Sequence, residues 1–316
     1  MYKVSVTKSL TDGQVNEILD IVINSSEIDG ARPFSEHVEI HLRSGGDRPV
    51  IHLLAEDSNK KIVGYGHLDT TDLVAGPSGE LVVHPDFRRK GIATQIVNEM
   101  KKMINDQQLR LWSHGDTVSA RNFSKKLEFE SVRNVIQMRR SLFSPIATFN
   151  FPPNYNLRQF DPITDTETFL AINRESFTDL PDQSSWTKKD LELRLAEDWF
   201  SAAGFVLLEN DKKEVVGFCW TKVHGKDHKH EKDDGHKHLD HGHEPIGELY
   251  VLGVHPSHQG KGLGKSLMLW GLNHLRRNGL DSAMLYVDSN NQKAIKIYEE
   301  VGFNFWGLDR LYRSFT

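Results

Sequence analysis

The sequence predicts an α/β protein built from two tandem copies of one fold, each a mixed sheet with helices on its faces. Three observations carry that prediction. Short strings recur in the same order in the two halves, strand-like and helix-like stretches alternate within each copy, and a stretch with three prolines separates them. Lys61-Ile-Val-Gly64 resembles Glu214-Val-Val-Gly217 at an offset of 153. His84-Pro85 and Gly91 match His255-Pro256 and Gly262 at 171, and Leu127-Glu-Phe129 matches Val301-Gly-Phe303 at 174.

In copy two, 204–209 and 215–223 read as strands, with Asp211-Lys-Lys as the hairpin turn, and 247–254 as a third strand. Leu267, Leu269, Trp270, Leu272 and Leu275 give 264–277 the spacing of an amphipathic helix. A strand over 283–287 and a short helix over 294–301 follow. In copy one the matching helix is 92–104 and the matching strand 109–112. The expected division is therefore 1–140, a linker over 141–156 and 157–316, because prolines interrupt both helix and ladder hydrogen bonding. The growing offset gives copy two about 18 extra residues before His255, read as a loop insertion at about 224–244.

The composition sets limits. A chain of 316 residues, 38% hydrophobic and 26% charged, is expected to be a soluble globular protein of about two domains. Its net charge of −5 argues against a nucleic-acid surface. The N-terminus has no apolar signal core and no run is long enough for a membrane span, so a cytoplasmic location with no membrane partner is expected. A lone cysteine, Cys219, excludes an internal disulfide.

The run His255-Pro-Ser-His-Gln-Gly-Lys-Gly-Leu-Gly-Lys-Ser266 ends like a nucleotide P-loop, but Gln259 stands where that motif needs its first glycine. No Walker-B acid or magnesium ligand is evident either. Between a strand and a helix, Gly260, Gly262 and Gly264 let backbone N–H groups approach an anion. The helix start adds unpaired N–H groups, and Lys261 and Lys265 add charge. A pyrophosphate fits this chemistry.

Gln259-x-x-Gly262-x-Gly264, and Arg88-x-x-Gly91-x-Ala93 in copy one, resemble the signature of the GCN5-related N-acetyltransferases (GNAT). The preceding Val254-His-Pro256 and Val83-His-Pro85, and the later Asn291, Ala294, Tyr298, Gly302 and Phe303, fit the same family. The resemblance implies two GNAT folds, with acetyl-coenzyme A (acetyl-CoA) bound in one or both. In copy one it places the cofactor against Leu81, Val82, Val83, Arg88, Arg89, Lys90, Gly91, Ile92, Ala93 and Thr94. In copy two the corresponding residues are Leu252, Gly253, Val254, Gln259, Gly260, Lys261, Gly262, Leu263, Gly264 and Lys265, with Asn291, Gln292, Lys293, Ala294, Ile295 and Lys296 from the late helix.

Acetyl transfer to an amine needs a base for the ammonium, donors for the tetrahedral oxyanion and an acid for the leaving thiolate. The resemblance casts Glu248 as the base and Tyr298 as the acid, with the oxyanion donor near 252–254, where Gly253 is compatible with a bulge. Glu80 reads as the counterpart of Glu248, so the base alone does not separate the halves. Ser124 stands opposite Tyr298, the Asn291 position is broken in copy one, and Glu128 replaces Gly302, so copy two is expected to do the chemistry.

The tandem arrangement and the strings around Trp220, Glu248 and Leu285 resemble a branch that acetylates the cysteinyl amine of cysteinyl-glucosaminyl-inositol, a thiol-sugar. That branch implies substrate contacts from Glu36, Asp182, Lys222, Glu248 and Tyr286 in a cleft between the halves, and we expect a monomer. The alternatives are acetyl transfer to another amine or a protein N-terminus, and a non-catalytic acyl-CoA or metal sensor. His224, His228, His230, His236, His238, His241 and His243 crowd the insertion without structural-zinc spacing, so no metal is expected to be required.

Overall fold

A computed structural model of the chain describes residues 2–45, 49–72, 75–105, 107–225 and 245–315. The insertion histidines from His228 to His243 lie outside the described residues. The strands are β1 (Lys3–Thr7), β2 (Val50–Glu56), β3 (Ile62–Asp69), β4 (Ser78–Val83), β5 (Arg110–Ser113), β6 (Phe129–Ser141), β7 (Tyr155–Gln159), β8 (Phe205–Asn210), β9 (Val215–His224), β10 (Ile246–Val254), β11 (Ser282–Asp288) and β12 (Asn304–Ser314). The helices are α1 (Asp12–Asp29), α2 (Glu36–Ser44), α3 (Ile92–Lys102), α4 (Val118–Lys126), α5 (Thr166–Ser176), α6 (Pro181–Ser184), α7 (Lys188–Leu195), α8 (Leu263–Arg277) and α9 (Gln292–Glu300). The mixed α/β class expected from the sequence is what forms, and the expected strands and helices end within a residue or two of these bounds.

All twelve strands join one sheet in the order β1-β2-β3-β4-β5-β12-β6-β11-β10-β9-β8-β7. The two halves do not keep their own last strands. β12, from the end of the chain, inserts antiparallel between β5 and β6, while β6 of the first half pairs antiparallel with β11 of the second. β6 therefore serves both cores: Phe129 at its start packs with Ile92, Ile96 and Tyr312, and Met138 near its end packs with Leu267, Leu285 and Phe303.

Strand alternation sorts the side chains onto two faces. In β2, Leu53 and Ala55 pack beneath α3, while Leu54 joins Ile18, Val22 and Val38 of α1 and α2. In the second half, Cys219 faces the α8 cluster, whereas Phe218 and Trp220 face the cluster of Phe169, Trp186 and Phe205 on the α5 and α7 side. Trp220 stacks on Phe205 with centroids 4.4 Å apart and an interplanar angle of 4°. At Gly271 of α8 a Cβ would come within 2.5 Å of Leu249 and 3.0 Å of Cys219, so the glycine lets this helix lie close on the sheet.

Candidate active site

Each half contains a wedge between two parallel strands. β10 and β11 pair only at Gly247–Ala283 and Glu248–Met284, and β4 and β5 only at Ser78–Arg110 and Gly79–Leu111. Beyond those pairs the strands part, so the inner edge of β10 after Glu248 has no β11 ladder partner. At the wide end of each wedge lies the expected phosphate loop. Gln259 donates from Nε2 to the Val254 carbonyl at 3.1 Å, and Arg88 donates from Nε to the Val83 carbonyl at 3.1 Å. Each side chain thus closes its loop onto the end of the preceding strand.

Gly260 and Gly262 take φ of 77° and 76°, and α8 begins at Leu263. Copy one repeats the geometry with Arg89 at 64° and Gly91 at 81° before Ile92 opens α3. Alternating left-handed residues at a helix start aim N–H groups into a concavity suited to phosphate oxygens. Arg88 also holds Asp29 in a two-pronged pair at 2.7 Å. Asn291 caps α9, accepting from the Ala294 N–H at 3.1 Å, which places residues 292–296 on the first turns of that helix. Thr117 makes the equivalent cap at the start of α4, so the Asn291 position in copy one is changed in residue but kept in structural role.

The expected bulge is present but displaced. Pairing of β10 with β9 is regular over Val251–Val254, and the irregularity falls between Leu249 and Val251, at Tyr250. This corrects the placement near 252–254. Tyr250 and Val251 consequently both turn toward the α5 and α7 cluster, which successive strand residues otherwise cannot do. β4 runs against β3 with no such irregularity.

The ladder registers also correct the reading of Glu80. Gly64 pairs with Val83 as Gly217 pairs with Val254, and counting along the ladders sets Glu80–His67 against Val251–Trp220. Glu248 pairs with Lys222, whose counterpart is the Asp69–Ser78 pair. Copy one therefore has Ser78, not a carboxylate, at the position of Glu248. Glu80 is buried elsewhere: it accepts from the Ser35 N–H at 2.7 Å and lies 3.6 Å from His114 Nε2. His114 in turn meets Asp309 of β12 at 3.0 Å. Burial disfavours the imidazolium, but the hydrogen bond to Asp309 and the charge of both carboxylates outweigh it and raise the His114 pKa to about 10.

On the same face as Tyr250, four of the expected residues gather. Glu248 is 7% exposed, and its Oε2 lies 2.7 Å from His224 Nε2. Lys222 of β9 forms an ion pair with Glu36 of α2, and Tyr250 donates to the other Glu36 oxygen at 2.5 Å. Burial alone would raise the Glu36 pKa; the Lys222 ammonium and Arg194 guanidinium instead bring it down to about 2. Arg194 donates from Nε to Tyr250 at 2.8 Å and lies over the Trp186 ring at 4.0 Å. The Lys222 ammonium lies 4.4 Å from the centre of the Trp199 ring. Tyr286, 44% exposed overall, accepts from Gln137 at 2.7 Å, and desolvation at its hydroxyl, followed by the charges of Glu248 and Asp309, pushes its pKa up.

Asp182 stands apart from that group, paired with Arg133 at 2.5 Å beside Asp288. Tyr250, Arg194 and Gln137 escaped the sequence reading. Tyr250 lies on the motif strand and was open to discovery; Arg194 and Gln137 had no local signal.

Tyr298 lies on the opposite face, packed with the α8 cluster and against Phe303. Burial, then the neighbouring Cys219, pushes its phenol up to about 12. In copy one, buried Ser124 is hydrogen-bonded to Tyr312 of β12. Glu128 holds the left-handed backbone, φ 58°, that Gly302 takes at 93°. An open cavity of about 650 Å³ lined by Arg121, Lys125, Arg310 and Tyr312 contains none of the candidate residues.

Comparison with known proteins agrees with this fold. The family model described as Acetyltransferase (GNAT) family matches residues 167–303, and that of the Acetyltransferase (GNAT) domain matches 48–131. The chain is 43% identical to the mycothiol acetyltransferase of Acidothermus cellulolyticus, covering 93% of this chain and 89% of that one. It is 40% identical to the mycothiol acetyltransferase of Streptosporangium roseum, covering 96% and 97%. Among solved structures it resembles a tandem GNAT protein from the clavulanic acid biosynthesis pathway (TM-score 0.73, 16% identity, 99% and 98% covered). It also resembles a GCN5-related N-acetyltransferase from Sphaerobacter thermophilus (TM-score 0.66, 18% identity, 98% and 95% covered). At these identities the structures establish likeness of fold.

Proposed function

The chain belongs to the GNAT acetyltransferase family, within its mycothiol acetyltransferase branch, and on that premise we propose how its two halves divide the work. The reaction moves the acetyl group of acetyl-CoA to the cysteinyl amine of cysteinyl-glucosaminyl-inositol and completes mycothiol. The second half performs it. The observation that carries this assignment is that Glu248 lies on β10 at the wedge and Tyr298 packs on the opposite face with the cluster of Leu249 and Leu285, while copy one has Ser78 and Ser124 at the equivalent places.

The pyrophosphate sits on the loop from Gln259 to Lys265, and the pantetheine arm follows the inner edge of β10 into the wedge. An α-ammonium has a pKa of about 7.7–8.0, so its deprotonation near neutral pH costs little. Glu248 takes that proton, directly or through water, with His224 beside it. The freed amine attacks the thioester carbonyl. Backbone N–H groups at the Tyr250 bulge stabilise the oxyanion; as the intermediate collapses the C–S bond breaks, Tyr298 gives its proton to the thiolate, and the second proton of the attacking nitrogen leaves through water and restores the phenol. Glu36, Lys222 and Tyr286, with Tyr250 and Arg194, bind the hydroxyl-rich acceptor, and Asp182 borders its far end.

Copy one retains the phosphate loop and binds a second acetyl-CoA without turning it over. Its Arg88 and Asp29 pair supports a stable loop. A monomeric, cytoplasmic enzyme with small-molecule partners, and with no nucleic-acid or membrane partner, fits the net charge of −5. Among the described residues no helix is long and apolar enough to cross a membrane.

The test follows coenzyme A release and acetylated product by mass, with cysteinyl-glucosaminyl-inositol as acceptor. Product that falls sharply in both Glu248→Gln and Tyr298→Phe supports the assignment. Full activity in either variant removes that residue from its role, and acetyl-CoA binding without product removes the acceptor.

A further inference from the structure

We propose that His37, His41 and Asp190 form a binding site for one divalent transition-metal ion of the zinc class, bridging the two halves of the chain. His37 and His41 are four residues apart on α2, so both rings project from one helix face, with centroids 4.0 Å apart. Asp190 comes from α7 of the second half. Its Oδ2 accepts from Thr187 N at 2.8 Å and Oγ1 at 2.9 Å, which fixes the carboxylate, and its Oδ1 lies 4.0 Å from His37 Nδ1.

One ligand atom from each residue lies within 4.8 Å of the others. Two imidazoles and a carboxylate are a donor set suited to zinc-class ions, and small side-chain adjustments bring such atoms to bonds of about 2.0–2.2 Å. Three protein ligands leave a fourth position for water.

An independent observation points to a ligand. His41 is 5% exposed, and among the described residues neither of its ring nitrogens has a hydrogen-bond partner. A polar group buried in that state is destabilising, and a bound ion would satisfy it. The Arg194 guanidinium opposes a cation here, while Asp190, Asp69 and Glu80 favour one.

The consequence falls on α2 and α7 together. α2 carries Glu36 directly before His37, and α7 carries Arg194, which holds Tyr250. An ion between the helices would hold the Glu36 carboxylate in register with Lys222 and Tyr250. The site itself stands on its own geometry; only this positioning role rests on the acetyltransferase reading.

The experiment adds Co(II), then Zn(II), to metal-free full-length protein and reads visible absorption and thermal melting. His37→Gln and His41→Gln are compared with a chain in which His228, His230, His236, His238, His241 and His243 are all changed to Gln. The expected result is one Co(II) per chain, displaced by Zn(II) and retained in the insertion variant. Either helix variant should bind at least roughly tenfold more weakly. Co(II) binding lost with the insertion histidines but kept in both helix variants, or absent from the unaltered protein, would overturn the site. Should a helix variant fail to fold, diethyl pyrocarbonate labelling of the unaltered protein decides: Zn(II) must protect His37, and equal labelling with and without Zn(II) refutes the proposal.

Discussion

Lys222 and Glu36 are 186 residues apart in the chain and meet as an ion pair that joins the two halves across the candidate cleft. The Lys222 side chain is only 9% exposed, so the pair is held largely out of water. Glu36→Ala should raise the KM for the thiol-sugar about tenfold or more and leave acetyl-CoA affinity unchanged. It should also destabilise the fold by about 1–3 kcal/mol, since Lys222 loses its carboxylate. Steady-state kinetics with each substrate varied, beside denaturant melts, checks both; an unchanged acceptor KM would remove Glu36 from the site. Because the Glu36 pKa is depressed in the folded protein, the pair's contribution is present above the ordinary carboxylate range. It should fade as pH falls toward about 2.

Tyr298 remains protonated throughout the neutral range because its phenol is raised to about 12. Tyr298→Phe keeps the ring against Phe303 and removes only the hydroxyl, the proposed proton donor. We expect kcat to fall by about 10²–10⁴ with little change in acetyl-CoA affinity or melting temperature. Equilibrium binding and turnover measured on the same preparation would separate this from loss of fold.

His114 ties Glu80 of the first half to Asp309 near the end of the chain. Its pKa rises on folding, to about 10, so its contribution is complete below the unfolded histidine value of about 6.5. Stability should therefore decline as pH rises from about 6.5 through about 10, and His114→Gln should flatten that decline. Thermal melts across this range, for both proteins, provide the check.

Gly262 and Gly91 occupy the left-handed position before the two phosphate loops open their helices, where an added Cβ strains the backbone by about 1–2 kcal/mol. Calorimetry should find two acetyl-CoA sites per chain. Gly262→Ala should weaken one site and abolish most turnover, whereas Gly91→Ala should weaken the other and leave turnover largely intact. A single site lost only with Gly262→Ala would show that the first half does not bind acetyl-CoA.

The exchanged strands make each half incomplete alone. Residues 1–148 lack β12, which separates β5 from β6, and residues 149–316 lack the β6 neighbour of β11. Each fragment should be insoluble or associate through its open edge, and co-expression should restore a soluble complex. Two separately soluble, monomeric fragments would contradict this dependence.

The sequence by itself determined what depends on neighbouring residues. The period of apolar residues marked α8 and β8 through β11, and the glycines at 260 and 262 marked the tight left-handed turn that opens α8, which a backbone without a Cβ takes most easily. The duplication was legible because both copies reuse those local devices. The tertiary structure alone decided which strand pairs with which. β6 and β12 would suit either half's open edge, since an alternating strand reads the same beside any compatible neighbour, and only assembly of the whole sheet selects the exchange. It also decided the register. Glu80 stands at the position of Val251, three residues beyond Glu248, and only the ladder register with its bulge at Tyr250 sets Ser78 rather than a carboxylate opposite Glu248. The meeting of Glu36 with Lys222, and of His37 and His41 with Asp190, arises from helices that approach only when the halves close on each other, and no spacing along the chain encodes that distance.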